Sequence, residues 1–301
     1  MQLLNPIPPS ELPAVALFAR IRGRRARLRA DTLPADSDKA QPELELRAVY
    51  DWVYLHLEAG LRRMLVPYLE VVATRQLVLA LRYRLAGEDP PQALHRSRLI
   101  NPLLLERIVV ERESAKLVNW LETSLTESYP FARGLSRCYL QQGPGGAERQ
   151  LSSGILVHGL GKASRKEIVR WLLENLIDFR NLLTILKHWH WKVRSAPVLL
   201  AGGQFGTAGL LRTWRREDRT GLQRLVGRLA RGSVNDEHPR AVERALLNGL
   251  SHRLQQAGRD PLDPALILDY LWRCQVLAHN QTVYQTGADQ AGMFAGEALL
   301  S

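Results

Sequence analysis

The segment from Ser164 to Lys192, SRKEIVRWLLENLIDFRNLLTILKHWHWK, limits the possible folds more than any other part of this chain. Ile168, Leu172, Leu176, Phe179, Leu183 and Leu186 recur at steps of three and four, the spacing of one helical face. Val169, Trp171, Leu173, Ile177 and Leu182 fill much of the remaining circumference. A helix that is apolar nearly all round must be packed on several sides, so this one is predicted to be central to its unit. Ser164 and Glu167 supply the S-x-x-E spacing of a capping box at its start.

Helical signals continue elsewhere. Asp263 and Pro264 form an N-cap and first-turn pair ahead of ALILDYLWRCQVLAHNQTVY. Leu44 to Leu65 and Leu103 to Leu125 are also periodic. Breaks are predicted at 33–42, 87–91, the flexible GPGG of 143–146, 197–203 and 232–239. Alternating strand patterns are scarce, and the predicted fold is all-α.

An internal repeat sets the expected organisation. LEVVATRQLVLALRYRLAG, from Leu69, aligns with ENLIDFRNLLTILKHWHWK, from Glu174, at an offset of 105 residues. Val71 then meets Leu176, Arg75 meets Arg180, Gln76 meets Asn181, Leu77 meets Leu182 and Leu81 meets Leu186. Asn280, 99 residues after Asn181, marks a third candidate copy. Such a period is too long for a solenoid unit and predicts a triplicated helical module. The expected modules are 1–100, with the Arg-rich N-terminal helix, then 101–205, then 206–301 with a C-terminal tail.

Charge narrows the partners. Forty-one Lys and Arg against thirty Asp and Glu leave a net charge of +11 over 301 residues. This favours an acidic counterpart: nucleic acid, an anionic membrane surface or an acidic protein. Only Cys138 and Cys274 are present, which excludes a disulfide scaffold and a four-cysteine zinc site. No stretch is expected to reach the roughly 18 to 20 apolar residues that cross a bilayer. The run Leu12–Ala19 has its arginines on the wrong side for a secretory signal. The expectation is a soluble chain whose membrane association goes through a partner or its surface.

Individual motifs carry little chemistry. ARIRGRRARLR places six arginines between Arg20 and Arg29. They suit a phosphate-binding face, an exposed helix face or a face docked on an acidic protein, and no stacking aromatics accompany them. His188 and His190, beside Trp189 and Trp191, point to different sides of a helix, and no further metal ligands stand at a defining spacing. Asp178 and Asn181 lie one turn apart on an apolar helix; buried polar groups need hydrogen-bond partners, and these can fix how two helices register. Gly143, Gly145 and Gly146 lack the Lys-Ser/Thr ending of a P-loop, and Gly202–Gly203 reads as a plain turn. No catalytic residue, cofactor site or metal site is expected. A structural or coupling component is the reading; the alternative is a basic all-helical nucleic-acid-binding protein, which tight binding with a steep salt slope would reveal.

In their order and spacing, the segments resemble the C subunit of archaeal and bacterial A/V-type rotary ATPases, itself similar to subunit d of the vacuolar proton pump. The matching elements are IDFRNLLTILK, with Asp178, Asn181, Leu182, Leu186 and Lys187, the linker LLAGGQF, and RDPLDPALILDYLWRCQVLAHN, with Asp260, Pro261, Tyr270, Leu271 and Asn280. The Arg-rich opening helix and ATRQLVLALR resemble the family as well. Departures are Ala73 and Gln76 in the first copy, where Asp and Asn would stand, and Leu277 in the third.

The resemblance implies three modules around a pseudo-threefold axis, forming a funnel or socket. It implies a non-catalytic adaptor on the cytoplasmic side of the membrane rotor ring (c/K-type subunits). Central stalk subunits D and F would be received in the socket, coupling ATP hydrolysis or synthesis to proton or sodium transport, without nucleic acid. Arg22, Arg24, Arg25 and Arg27 are the expected docking face.

Overall fold

The computed structural model describes residues 1–30, 42–91, 97–164, 167–232, 234 and 238–289. Most of the predicted break at 33–42 and part of that at 232–239 lie outside the described residues. The described chain is all-α, with eleven α-helices. Leu4 and Ile100 form an isolated antiparallel bridge, and no strand stands among the described residues. Two compact units arise: Met1–Glu11 with Tyr50–Leu173, and Leu12–Val49 with Glu174–Ser301. The chain crosses from one to the other within α2 (Pro42–His56) and within α7 (Ile168–His190).

The first unit is built on α3 (Ala59–Leu85) and α6 (Leu135–Lys162), its most extensively paired helices, with α4 (Pro102–Val110) and α5 (Ser114–Leu125) beside them. Leu65, Leu69, Leu77 and Leu81 are fully buried on α3. Asn101 caps α4 by accepting the Leu103 N–H at 3.1 Å, with Pro102 pre-set for the first turn. At the other end of α4, the buried Arg84 guanidinium donates to the carbonyl oxygens of Ile108, at 2.8 Å, and Val109. A cation there satisfies the orphan acceptors of the helix terminus. The N-terminal segment is strapped onto this unit. Asn5 N–H reaches Leu99 O at 2.9 Å, Asn101 N–H reaches Leu3 O at 2.8 Å, and Leu3 N–H donates to the Tyr129 hydroxyl at 3.0 Å.

Two expectations change. The periodic run Leu44–Leu65 divides at Leu57–Glu58 into α2 and α3, and Leu103–Leu125 divides at Glu111–Glu113 into α4 and α5. In the second case Glu111 accepts the Glu113 N–H at 3.1 Å and pairs with Arg107 at 2.7 Å, so the acidic turn offers the backbone an alternative to helix. The predicted break at GPGG is present as a sharp kink where two helical stretches meet. The kink in α6 lies at Gly143, whose φ of 67° is left-handed, and Pro144 opens the following helical stretch.

A further correction concerns membranes. Helix α3 is long and apolar enough to cross one by length and composition, contrary to the expectation that no stretch would be. Most of its apolar window is buried inside the first unit. Within it, Glu70 accepts the Tyr129 hydroxyl at 2.8 Å and lies 3.4 Å from the Lys162 ammonium. Its apolar character thus serves the protein core.

The second unit contains α1 (Ala14–Ala30), the C-terminal part of α7, α8 (Thr207–Arg215), α9 (Arg219–Ala230), α10 (Pro239–Ala257) and α11 (Ala265–Asp289). Leu182, Ile185, Phe205, Leu210, Leu222, Val226 and Leu246 share one core cluster. Asp263 accepts the Ala265 N–H at 2.7 Å and caps α11, and Asp218 caps α9 through Gly221 N–H at 2.8 Å. At the start of α7, Glu167 accepts the Ser164 N–H at 3.1 Å, one arm of the predicted capping box. Helix α11 packs on α10, where the Trp272 indole N–H donates to Ser251 Oγ at 2.8 Å.

Candidate functional site

Asp178 and Asn181 are both buried on α7, one turn apart. Their partners lie on the connection that follows the helix. The Asp178 carboxylate accepts Gln204 N–H at 2.7 Å and Phe205 N–H at 3.1 Å. Asn181 makes a paired contact with Leu200: its Nδ2 donates to Leu200 O and its Oδ1 accepts Leu200 N–H, both at 2.8 Å. An amide side chain presents the same donor and acceptor as a peptide group, so Asn181 holds Leu200 as a neighbouring strand would. Between these anchors stand the two glycines. Gly202 has φ 102°, and a Cβ on Gly203 would collide with Asp178 Oδ1. The Gly202–Gly203 pair is thus a cradle for a carboxylate, a role that a plain turn does not require.

The electrostatics follow. Burial pushes the Asp178 carboxyl up to about 6; the two N–H bonds and the Arg228 guanidinium pull it down, and Glu174 adds to the rise. Arg228 also lies over the Phe205 ring at 5.2 Å. Phe205 itself is anchored in the core with Leu182 and Leu186, so the linker is fixed at both its backbone and its aromatic side chain.

The first unit holds its own connection in a related way. Gln76, which the expected repeat aligns with Asn181, shares the Ser97 hydroxyl with Asp51, at 3.3 and 3.2 Å. Leu99, which the same offset aligns with Gln204, donates its N–H to Asp51 Oδ1 at 2.8 Å. Ala73 stands where Asp178 does in the later copy and has no carboxylate to offer. In the first unit the acceptor thus stands on α2, at Asp51, and not on the long helix. The sequence hinted at Gln76 but gave no signal for Asp51, since the repeat alignment points elsewhere. The third polar position, Asn280, is buried on α11.

The arginine-rich helix α1 packs on α11. Arg25 donates to Gly258 O at 2.8 Å and pairs with Asp269 at 3.1 Å; Asp269 is buried and also meets Arg273 at 3.0 Å. Arg24 hydrogen-bonds Tyr270. Arg22, Arg24 and Arg27 are exposed and Arg25 is not, but Arg24 reaches Tyr270, so the four expected docking residues divide into the solvent-facing Arg22 and Arg27 and a pair, Arg24 and Arg25, that joins α1 to α11. The side chain of Arg29 lies outside the described residues. His188 meets Ser195 O at 3.1 Å, whereas His190 stacks edge-on with His238 at 5.2 Å, so the two point to different sides. Among the described residues no group of three or more His, Cys, Asp or Glu is placed to hold a metal ion. Burial drives the Cys274 thiol up to about 12, which leaves it a protonated core side chain at neutral pH.

A family model described as ATP synthase (C/AC39) subunit matches residues 43–276. This stretch takes in α3, α7, the glycine linker and the start of α11, and covers well over half of the chain. The chain belongs to the ATP synthase (C/AC39) subunit family. Comparison with the curated proteins gives no match. As a C/AC39 subunit it is a component of a rotary ATPase and associates with other subunits of that membrane complex. The all-α fold agrees with the fold class expected from the sequence.

Proposed function

We propose that this C/AC39 subunit is the non-catalytic adaptor between the central stalk and the membrane rotor ring. It sits peripherally on the cytoplasmic face and passes rotation between ATP turnover and proton or sodium transport. The family match over residues 43–276 carries this reading. A coupling element must transmit load without yielding, and close-packed helices have low compressibility. The clamps support the same reading, because α7, and α3 together with α2, are tied to the connections behind them through partly buried hydrogen bonds. They also support the proposed triplicated organisation of 1–100, 101–205 and 206–301, since two copies hold their linkers at repeat-related positions.

In this reading the exposed Arg22, Arg24 and Arg27 form the docking face, and Arg25, with Arg24 on Tyr270, holds α1 in place. Stalk subunits D and F and the c/K-type ring are the proposed partners. The decisive experiment compares the purified rotary complex with and without this chain. Its removal is expected to leave ATP hydrolysis while abolishing ion pumping, and adding it back restores pumping coupled to hydrolysis. Undiminished pumping by a complex proven to lack the chain would exclude the adaptor role. A milder test replaces Arg22, Arg24 and Arg27 with Glu; assembly with the remaining complex at wild-type strength would remove those residues from the docking face.

A further inference from the structure

The second unit contains a cavity of about 370 Å³ that neither the linker clamp nor α1 uses. Its floor is Leu186, Leu222, Val226 and Val242, all part of the buried core cluster. Its rim carries Lys192, Arg219, His190 and His238, and no carboxylate lines it among the described residues. On α9, Arg219, Leu222, Gln223 and Val226 all face it, the i, i+3, i+4, i+7 set of one helical stripe. The volume falls in the range of small-molecule pockets, and an apolar body with a few convergent polar groups is their usual construction.

The Trp189 indole forms part of the wall, with its Nε1–H turned away from accessible space. A backbone feature marks the mouth. Lys192 ends α7 in the left-handed region, with φ 52°. Val193 N–H reaches back to His188 O at 2.8 Å and Lys192 N–H to Trp189 O at 3.2 Å, the helix-ending arrangement in which glycine is usual. A lysine there accepts backbone strain and gains a cation at the cavity mouth.

We infer that this cavity binds a small amphiphilic anion, a carboxylate carrying an apolar tail, with Lys192 and Arg219 on the charge and Leu222 and Val226 against the tail. The shape selects a tail that a bare anion lacks, and the rim selects a charge that a neutral chain lacks. The inference is independent of the proposed coupling role.

Octanoate is the probe, titrated calorimetrically into the full chain, with 1-octanol and acetate as the two half-ligands. Octanoate is expected to bind one to one, at least about tenfold more tightly than either control. Arg219→Glu is expected to weaken octanoate by about tenfold or more. Lys192→Gly is the variant that folding cannot confound: it relieves the left-handed strain, so it is expected to raise the unfolding midpoint while weakening octanoate. Equal affinity for 1-octanol and octanoate would overturn the inference. So would undiminished octanoate binding in both variants, with helicity unchanged.

Discussion

Asp178 on α7 receives the backbone N–H of Gln204 at 2.7 Å, and Gly203 is the residue that lets the chain come that close. The carboxylate is buried, and it is bonded to two amides of the connection that leaves its own helix. This closes a loop of the chain on itself without a disulfide or a metal. Its strength rests on the cost of leaving buried donors unmet, which exceeds the modest net gain of each bond made.

Replacing Asp178 with Ala removes both acceptors and leaves Gln204 and Phe205 N–H unpaired. The expected destabilisation is about 2–4 kcal/mol, from the desolvation penalty of the orphaned amides. Urea unfolding measures it. Hydrogen exchange at Gln204 and Phe205 is expected to accelerate more than exchange in α10, and uniform acceleration would argue against a local clamp.

The same carboxyl makes stability depend on pH. Its pKa is raised to about 6 from an ordinary value of 3.8. Between these limits the native state keeps a proton that the unfolded chain has lost. Its contribution is therefore present below about pH 4 and is lost as the pH rises through about 6. Asp178→Asn cannot ionise, so the wild type is expected to lose stability relative to this variant across that window. His158, which burial holds below its ordinary value, acts with the opposite sign, and comparing the two proteins cancels it. A wild-type-minus-variant difference that stays flat from about pH 4 to pH 7 removes the assignment.

Gly203→Ala introduces a Cβ onto Asp178 Oδ1. The expected cost is about 1–3 kcal/mol, typical of overpacking at a site that cannot relax freely. The worst of the clash is lifted if the carboxylate is absent, leaving a tight 3.2 Å approach to Ile177 Cγ2. The double variant Gly203→Ala with Asp178→Ala should therefore be more stable than the sum of the singles predicts, by about 1 kcal/mol or more. Strict additivity in a double-mutant cycle contradicts the contact.

Within α1, Arg25 is expected to behave unlike its neighbours. Arg25→Ala leaves the buried Asp269 with Arg273 alone. Because one partner survives, the loss is expected at about 2–3 kcal/mol, below the full penalty for an unpaired buried charge. Arg22→Ala and Arg27→Ala, both at exposed positions, should shift stability by no more than about 0.5 kcal/mol. Thermal unfolding of the three single variants decides between a structural and a purely surface role for Arg25.

In the first unit, Asp51→Ala takes away the nearer acceptor of Leu99 N–H and leaves it only Ser97 Oγ at 3.3 Å. About 1 kcal/mol is expected, as for one hydrogen bond lost where the amide is partly sheltered. Exchange protection at Leu99 should fall, while the Asn181–Leu200 pairing in the second unit keeps its protection. Unchanged protection at Leu99 would show that Asp51 is not its anchor.

Local rules fixed much of this protein before any tertiary contact was known. The spacing of Ile168, Leu172, Leu176 and Leu183 dictated a helix on α7, since apolar side chains at that period gather on one face whatever they later touch. Asp263 and Pro264 placed the start of α11, because a cap acts through its own backbone neighbours. The polar pair Asp178 and Asn181 stood out as requiring partners for the same reason: buried polar atoms must be satisfied. Which partners they found was a tertiary decision. Leu200, Gln204 and Phe205 are distant enough in sequence that only the folded course of the linker brings them back. Arg25 and Arg27 are indistinguishable in composition, and only the packing of α1 on α11 turned one of them toward Asp269. Asp51 is the clearest instance, for the carboxylate that holds Leu99 N–H stands on α2, away from the aligned segments. Hydrogen bonds depend on where atoms are in space, and a repeat read along the chain records only where residues are in order.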